Sequence, residues 1–145
     1  MLVAMRFVEE VTVGVLWLWF GVGYAAVLGH VFPLYLKFRG GKGVSTSLGA
    51  VVGLYPYMTV CGLITFAIWG VCLLIWRYVS LASIVAAVVF PIILTAAVIA
   101  LPGWTFSVLW PLLIIAVGLG ALVLIRHVGN IKRLLAGSER KIFQK

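Results

Sequence analysis

The sequence predicts an all-α integral membrane protein with about five membrane segments, one of them a half-length helix. Of its 145 residues 65% are hydrophobic and 10% charged, and the mean hydropathy is +1.26. A soluble domain averages about 45–50% apolar and about 25% charged residues. A chain this short cannot enclose so much apolar surface in one soluble core. This composition also excludes a disordered chain, a coiled coil and a disulfide scaffold.

Long stretches without Lys, Arg, Asp or Glu define the segments, since a spanning helix needs about 20 apolar residues. Pro102-Gly103 interrupts the longest stretch and predicts a tight turn between two helices. The predicted full spans are residues 11–29, 57–76, 80–101 and 104–126, followed by a tail over 127–145, in a single membrane domain over 1–145.

The segment before Tyr55-Pro56-Tyr57 is too short for a full crossing. Two crossings of the hydrocarbon core need about 40 helical residues. We therefore predict a half-length helix over residues 44–55. A helix that ends inside the membrane must bury its ends in protein or face a water-filled cavity. Such short helices often mark binding sites.

The charges are unevenly distributed: 11 Lys and Arg against 3 Asp and Glu, a net charge of +8. The basic residues cluster at 37–42, at Arg77 and at 126–145, and the turns near Pro56 and Pro102 carry none. The positive-inside rule places all three clusters in the cytoplasm and the N-terminus outside. Anionic lipids or substrates are the expected partners, rather than nucleic acid. The two cysteines are interpreted as buried hydrophobes.

The first cytoplasmic element is a Gly-Gly-Lys-Gly turn over residues 40–43 that opens a charge-free helix. Backbone N–H groups at such a helix start favour anions, above all phosphate. Lys42 adds a full charge, and Ser45 and Thr46 add hydroxyl donors. The pattern is not a P-loop, since Gly43 replaces the required Ser or Thr. The alternative is a flexible basic turn that only orients the chain.

The second and third elements are Ser80 and the start of the tail. Ser80 has a simpler interpretation as the N-cap of the next helix. His127, Asn130 and Leu134 recur at i, i+3 and i+7, so they share one helical face. The alternative is an amphipathic basic tail that lies on lipid headgroups. That alternative accounts for the Lys and Arg residues but does not explain why His127 and Asn130 occur there.

The acidic residues limit the chemistry, because the sequence has no Asp and Glu139 is its one acid beyond the N-terminus. A Ser-His-Asp triad, a carboxylate pair or a carboxylate-rich Mg²⁺ site cannot be assembled. Two His and two Cys within apolar sequence give no convincing zinc site. Cations, amides and hydroxyls suit a site that holds oxyanions and stabilises developing negative charge.

Together these elements resemble the PlsY family, the bacterial membrane acyl-phosphate:glycerol-3-phosphate acyltransferases. The resemblance rests on Gly-His-x-Phe-Pro at 29–33, Phe-x-Gly-Gly-Lys-Gly-Val-x-Thr at 38–46, Arg-Tyr-x-Ser-Leu at 77–81, and Arg-His-x-x-Asn-Ile-x-Arg-Leu with Gly-x-Glu-x-Lys at 126–141. Ser45 stands where the family usually has Ala.

The resemblance implies transfer of a fatty acyl group from acyl phosphate to the 1-hydroxyl of sn-glycerol 3-phosphate, giving lysophosphatidate at the bacterial inner membrane. It implies no cofactor, no metal and no covalent acyl-enzyme. The implied catalytic residues are His127, Asn130 and Lys42. The implied substrate-binding residues are Gly40, Gly41, Lys42, Gly43, Ser80 and Thr46. The implied structural residues are His30, Pro33 and Glu139.

One departure concerns the family's first motif, a Gly/Ser/Asn-rich loop with a functional Arg, which nothing before Gly29 resembles. Three explanations are open: a start site placed too late, a separate polypeptide that supplies the motif, or a truncated inactive relative. Two alternative functions also stay open. One is a non-catalytic protein that binds or conducts phosphate or other anions, and the other is a basic lipid-binding scaffold.

Overall fold

The computed structural model describes residues 12–38 and 40–142, and its regular elements are helices. The α-helices are α1 (Val13–Val31), α2 (Val44–Val52), α3 (Tyr57–Trp76), α4 (Val79–Ala100), α5 (Phe106–Arg126) and α6 (Val128–Leu135). A short 3₁₀ turn, Leu34–Leu36, follows α1. The described residues contain no strand, so the all-α prediction is confirmed.

Four helices in the described part of the chain, α1, α3, α4 and α5, are long and apolar enough to cross a membrane. Side chains that point away from the bundle stay apolar, as Leu18, Leu74 and Ile99 show with exposed fractions of 72%, 80% and 77%. Such an exterior suits lipid rather than water. The integral membrane fold follows, while the count of five segments stays a prediction.

Several boundaries differ from the sequence prediction. The predicted start of the first span, Val11, lies outside the described residues, and α1 continues to Val31 rather than to residue 29. The half-length helix ends at Val52 rather than at residue 55. It therefore rises about 14 Å, less than half of the hydrocarbon thickness.

Two other helix boundaries differ from the sequence prediction by one or two residues. α4 covers residues 79–100 rather than 80–101, and α5 begins at Phe106 rather than at residue 104, after Thr105 in an extended N-cap conformation. The predicted tail over residues 127–145 contains a helix in its first part, α6.

The five longer helices form a closed ring in which α3 contacts α4, α4 contacts α5, α5 contacts α1, α1 contacts α2, and α2 contacts α3. α5 is the most buried of the four spans. Of its most apolar 18-residue stretch 50% is buried inside the protein, against 22–28% for the other three spans. The main core joins all five helices. A cavity lies between four of these helices, α2, α3, α4 and α5.

Helices α4 and α5 approach each other closely at Gly120. Pro91 lacks the N–H that would bond the Ala87 carbonyl four residues earlier. Gly120 packs against that carbonyl, since a Cβ built on Gly120 would lie 2.5 Å from the Ala87 oxygen. Glycine is required here because its Cα–H can contact the carbonyl and no side chain would fit.

The two ends of the bundle differ in character. At one end the segments 32–38, 40–43, 77–80 and 126–142 meet. There the Arg126 guanidinium donates to the Gly40 carbonyl, and the Ile142 N–H donates to the Arg77 carbonyl at 2.8 Å. At the other end the charge-free turns meet, with the Tyr57 and Trp104 rings 5.1 Å apart. The three predicted basic elements therefore share one end.

We expect Gly120→Ala to destabilise the protein, because the added methyl would meet the Ala87 carbonyl and force α4 and α5 apart. Overpacking of this kind costs about 1–3 kcal/mol. Thermal unfolding in detergent measures the change. Gly70→Ala is the matched control, because its Cβ would meet nothing within 4 Å. An unchanged midpoint for Gly120→Ala would contradict the close approach.

Candidate active site

A cavity of about 540 Å³ opens between α2, α3, α4 and α5. Its polar end is lined by residues from all three predicted elements and from the end of α1: His30, Lys42, Gly43, Ser45, Ser80, His127, Asn130, Glu139 and Arg140. Its other end is apolar and lies between the helices. A cavity with one charged end and one apolar end suits a ligand that has the same two parts.

The start of α2 forms the floor of the polar end. Gly43 is the N-cap of α2 and has a left-handed φ of +78°, which glycine adopts without strain. A Cβ there would also approach the Val31 side chain at 2.9 Å. The first N–H groups of a helix have no intrahelical partner and favour an anion. Lys42 lines the cavity beside them.

Two contacts outside the cavity hold this loop. The Gly41 N–H donates to the His30 carbonyl at 3.2 Å. The Arg126 guanidinium donates to the Gly40 carbonyl at 3.0 Å and lies over the Phe32 ring, 5.6 Å from its centroid. α5 thereby fixes the glycine loop, and Arg126 is a positioning residue that the sequence analysis did not single out.

Glu139 joins the other two elements. Ser80 Oγ and Asn130 Nδ2 donate to its Oε1 at 2.7 and 2.6 Å, and Arg133 Nε donates to its Oε2 at 2.7 Å. The hydrogen bond from Ser80, with those from Asn130 and Arg133 and the Arg133 charge, lowers the pKa of Glu139 to about 2. The carboxylate is therefore ionised at neutral pH and orients the Asn130 amide.

The Ser80 hydroxyl does not cap α4, so the simpler interpretation of this residue is wrong. α4 begins at Val79, with Tyr78 as its N-cap, so Ser80 already lies inside the helix. Its hydroxyl donates to Glu139 instead. The contact crosses from α4 to the tail.

His127 is 1% exposed and follows the last residue of α5. Its Nδ1 lies 2.8 Å from the Val123 carbonyl, which can only accept, so Nδ1 carries the hydrogen. Burial lowers the pKa of His127, and the Lys42 charge adds to this effect, whereas the bond to Val123 and the Glu139 charge oppose it. The neutral form of the ring is therefore favoured, with the lone pair on Nε2.

The structure brings together most of the predicted site residues, but not all. Gly40, Gly41, Thr46 and Pro33 do not line the cavity. A Cβ on Gly41 would collide with the His30 ring, so its close neighbour is that ring. His30 itself lines the cavity. The individual roles of all these residues stay predictions.

Another polar residue of the cavity, Ser83, was not predicted from the sequence. Ser83 lines the cavity one turn beyond Ser80, accepts from Trp69 Nε1 at 3.2 Å and donates to the Val79 carbonyl at 2.9 Å. The i, i+3 spacing from Ser80 was the available signal. Within residues 12–38 and 40–142, no three His, Cys, Asp or Glu side chains come together in a group that could hold a metal ion.

Comparison with known proteins identifies the family. A family model described as glycerol-3-phosphate acyltransferase matches residues 1–137. The chain belongs to the glycerol-3-phosphate acyltransferase family. Relatives with that name include proteins from Coxiella burnetii, 44% identical over 121 residues, and Gloeobacter violaceus, 40% identical over 126 residues. These matches cover 83% and 87% of this chain and 56% of each relative, so the chain spans little more than half their length.

Two crystal structures of PlsY, an integral membrane glycerol 3-phosphate acyltransferase, have a similar fold. The lysophosphatidic acid form matches with a TM-score of 0.74 and 36% identity, over 97% of this chain and 63% of that one. The glycerol 3-phosphate form matches with a TM-score of 0.75 and 35% identity, over 99% and 66%. The predicted resemblance to the PlsY family is confirmed.

The Glu139 contacts predict an acid-dependent stability. Folding lowers the pKa of Glu139 from its ordinary 4.5 to about 2, so its contribution is present above about pH 4.5 and is lost as the pH falls toward 2. Glu139→Gln should be less stable at neutral pH and should lose less stability across that interval. Unfolding midpoints against pH measure both effects.

The exposed cation Lys132 on α6 provides the control, because Lys132→Gln should keep the acid dependence of the wild-type protein. Identical pH profiles for Glu139→Gln and the wild type would show that the carboxylate does not join the tail to α4.

Proposed function

We propose that this chain carries the acyl-transfer site of an acyl-phosphate-dependent glycerol-3-phosphate acyltransferase. The observation that carries the proposal is the cavity, whose cationic, amide-rich end continues into an apolar end between membrane helices. A phosphorylated alcohol matches the first part, and a fatty acyl chain matches the second. The names of the relatives and of the two PlsY forms support the same substrates.

The phosphate of glycerol 3-phosphate is proposed to bind at the start of α2. Lys42 supplies a full charge, and the first N–H groups of α2 supply oriented donors. Arg140 lines the same end and adds a second cation. Binding here positions the glycerol chain near Asn130 and His127, which line the same polar end.

The reaction we propose is attack of the glycerol 1-hydroxyl oxygen on the acyl carbonyl carbon of acyl phosphate. The new ester C–O bond forms, the C–O bond to the phosphate breaks, and inorganic phosphate leaves. The hydroxyl proton passes to a phosphate oxygen, so the step needs no carboxylate base from the protein. Lys42, Asn130 and the α2 amides stabilise the negative charge that develops.

His127 is proposed to act as a neutral imidazole. Because Nδ1 is committed to the Val123 carbonyl, Nε2 can accept a hydrogen bond from the substrate hydroxyl in the bound complex and orient it for attack. As the ester C–O bond forms, the hydroxyl hydrogen leaves Nε2 for the phosphate oxygen, so the ring stays neutral. Protonation would remove that lone pair and add a second positive charge near Lys42.

The polar end is proposed to face the cytoplasm. The elements that meet there carry Lys42, Arg77, Arg126 and the cations of α6, whereas the opposite turns at Pro56 and Pro102 are uncharged. The positive-inside rule then gives the orientation. Glycerol 3-phosphate would enter from the water, and the acyl donor from the inner leaflet.

We expect Lys42→Ala, His127→Ala and Asn130→Ala each to reduce lysophosphatidate formation at least about tenfold, equivalent to about 1.4 kcal/mol of transition-state stabilisation. Each substitution removes a contact to the phosphate or to the reacting hydroxyl. The assay uses the purified chain with palmitoyl phosphate and labelled glycerol 3-phosphate. Lys132→Ala removes an exposed cation outside the cavity and should keep full activity.

Other results would overturn the proposal. A wild-type chain that transfers no acyl group would contradict it, and labelled phosphate flux into vesicles by that chain would favour the anion-conducting alternative. Full activity in all three variants would remove the proposed roles. For a lipid-binding scaffold, we expect Lys42→Arg and His127→Gln to have no effect, because charge and amphipathicity are kept.

A further inference from the structure

The face of α4 that lines the cavity changes from small to large along the helix. Ser80, Ser83 and Ala87 line it on successive turns, and Phe90 follows one turn later. The residue after that on the same face, Leu94, is completely buried in the core. Phe90 is therefore the last residue of α4 in the cavity. At 1.5 Å per residue, it lies about 15 Å from Ser80 along the helix axis.

Two other helices close the cavity near the same depth. Val51, in the last turn of α2, and Gly62 of α3 both line it. The Val51 side chain fills the space where a Gly62 side chain would project. Val51 is 5% exposed and Phe90 is 7% exposed, and both belong to the main core. The apolar end is therefore bounded by packed side chains along the direction of the helices.

We propose that Phe90 sets the maximum length of the alkyl chain that the cavity holds, and is thus a specificity-determining residue for the acyl donor. The identity of that donor rests on the proposed function. The space itself rests on geometry alone, because small residues on α4 open the path and a buried aromatic ring ends it.

The physical consequence is an abrupt loss of affinity above one alkyl chain length, and not a gradual change of affinity with chain length. An alkyl chain that leaves the bilayer for an apolar cavity exchanges one apolar environment for another, so added methylenes within the space contribute little. A chain that extends beyond Phe90 must displace core side chains. Overpacking of this kind lowers affinity about tenfold or more.

The test is binding of n-alkyl phosphates, from decyl to octadecyl, to the purified chain in detergent. These probes carry the phosphate and the chain but no acyl group, so the measurement does not depend on catalysis. We expect wild-type affinity to be nearly constant up to the limiting length and then to fall. Phe90→Ala should move the fall to longer chains, and Phe90→Trp to shorter ones.

Ile92→Ala is the matched control, because this side chain lies two residues away and is 61% exposed on the lipid side. It should keep the wild-type cutoff. Affinities are compared as ratios between chain lengths within one variant, so an unfolded fraction cancels. If Phe90→Ala does not fold, Phe90→Trp decides.

An affinity that stays constant to octadecyl phosphate in the wild type would show that the tail leaves sideways between the helices, and would overturn the inference. An unchanged cutoff in both Phe90 variants, or no binding of any alkyl phosphate, would do the same. Loss of acyl transfer with a normal cutoff would instead count against the proposed function alone.

Discussion

The site depends on one carboxylate that is bonded from three directions. Glu139 accepts from Ser80 of α4 and from Asn130 and Arg133 of α6, so a tail with little apolar surface of its own is fixed to the membrane helices. Hydrogen bonds to an ionised acceptor are about twice as strong as neutral ones. Without this anchor, Asn130 would lose the hydrogen bond that orients it, and the tail would lose its contact with Ser80 at the polar end of the cavity.

A second constraint comes from the half-length helix. α2 begins where Gly43 turns the chain and ends at Val52, and Gly43 and Val51, near its two ends, are buried in the protein. Its free N–H groups cannot be satisfied by lipid, and the cavity gives them access to polar ligands. The same helix lines the polar end with Gly43 and the apolar end with Val51. One short element therefore contributes to both parts of the site.

The membrane fold, the half-length helix and the meeting of the basic elements at one end of the bundle were predictable, because they follow from the distribution of charge and from the Pro breakers. The family followed from short motifs around Lys42, Ser80 and His127. The bond from Arg126 to Gly40 was not predictable, because it joins residues 86 positions apart and involves only a backbone oxygen of the loop. The bond from Ser80 to Glu139 was unpredictable for a similar reason, since the two residues lie 59 positions apart.

The neutral form of His127 limits the positive charge at the polar end of the cavity. The polar end already holds Lys42 and Arg140, and the one carboxylate nearby is bonded to Ser80, Asn130 and Arg133. A charged imidazole would add repulsion where burial has already removed water. Burial of the ring and the nearby Lys42 charge favour the neutral form, and the bond from Nδ1 to the Val123 carbonyl fixes which nitrogen keeps the lone pair. The positive charge of the polar end is therefore carried by Lys42 and Arg140, where the proposed substrate phosphate would neutralise it. The ring of His127 remains an acceptor, as the proposed role toward the substrate hydroxyl requires.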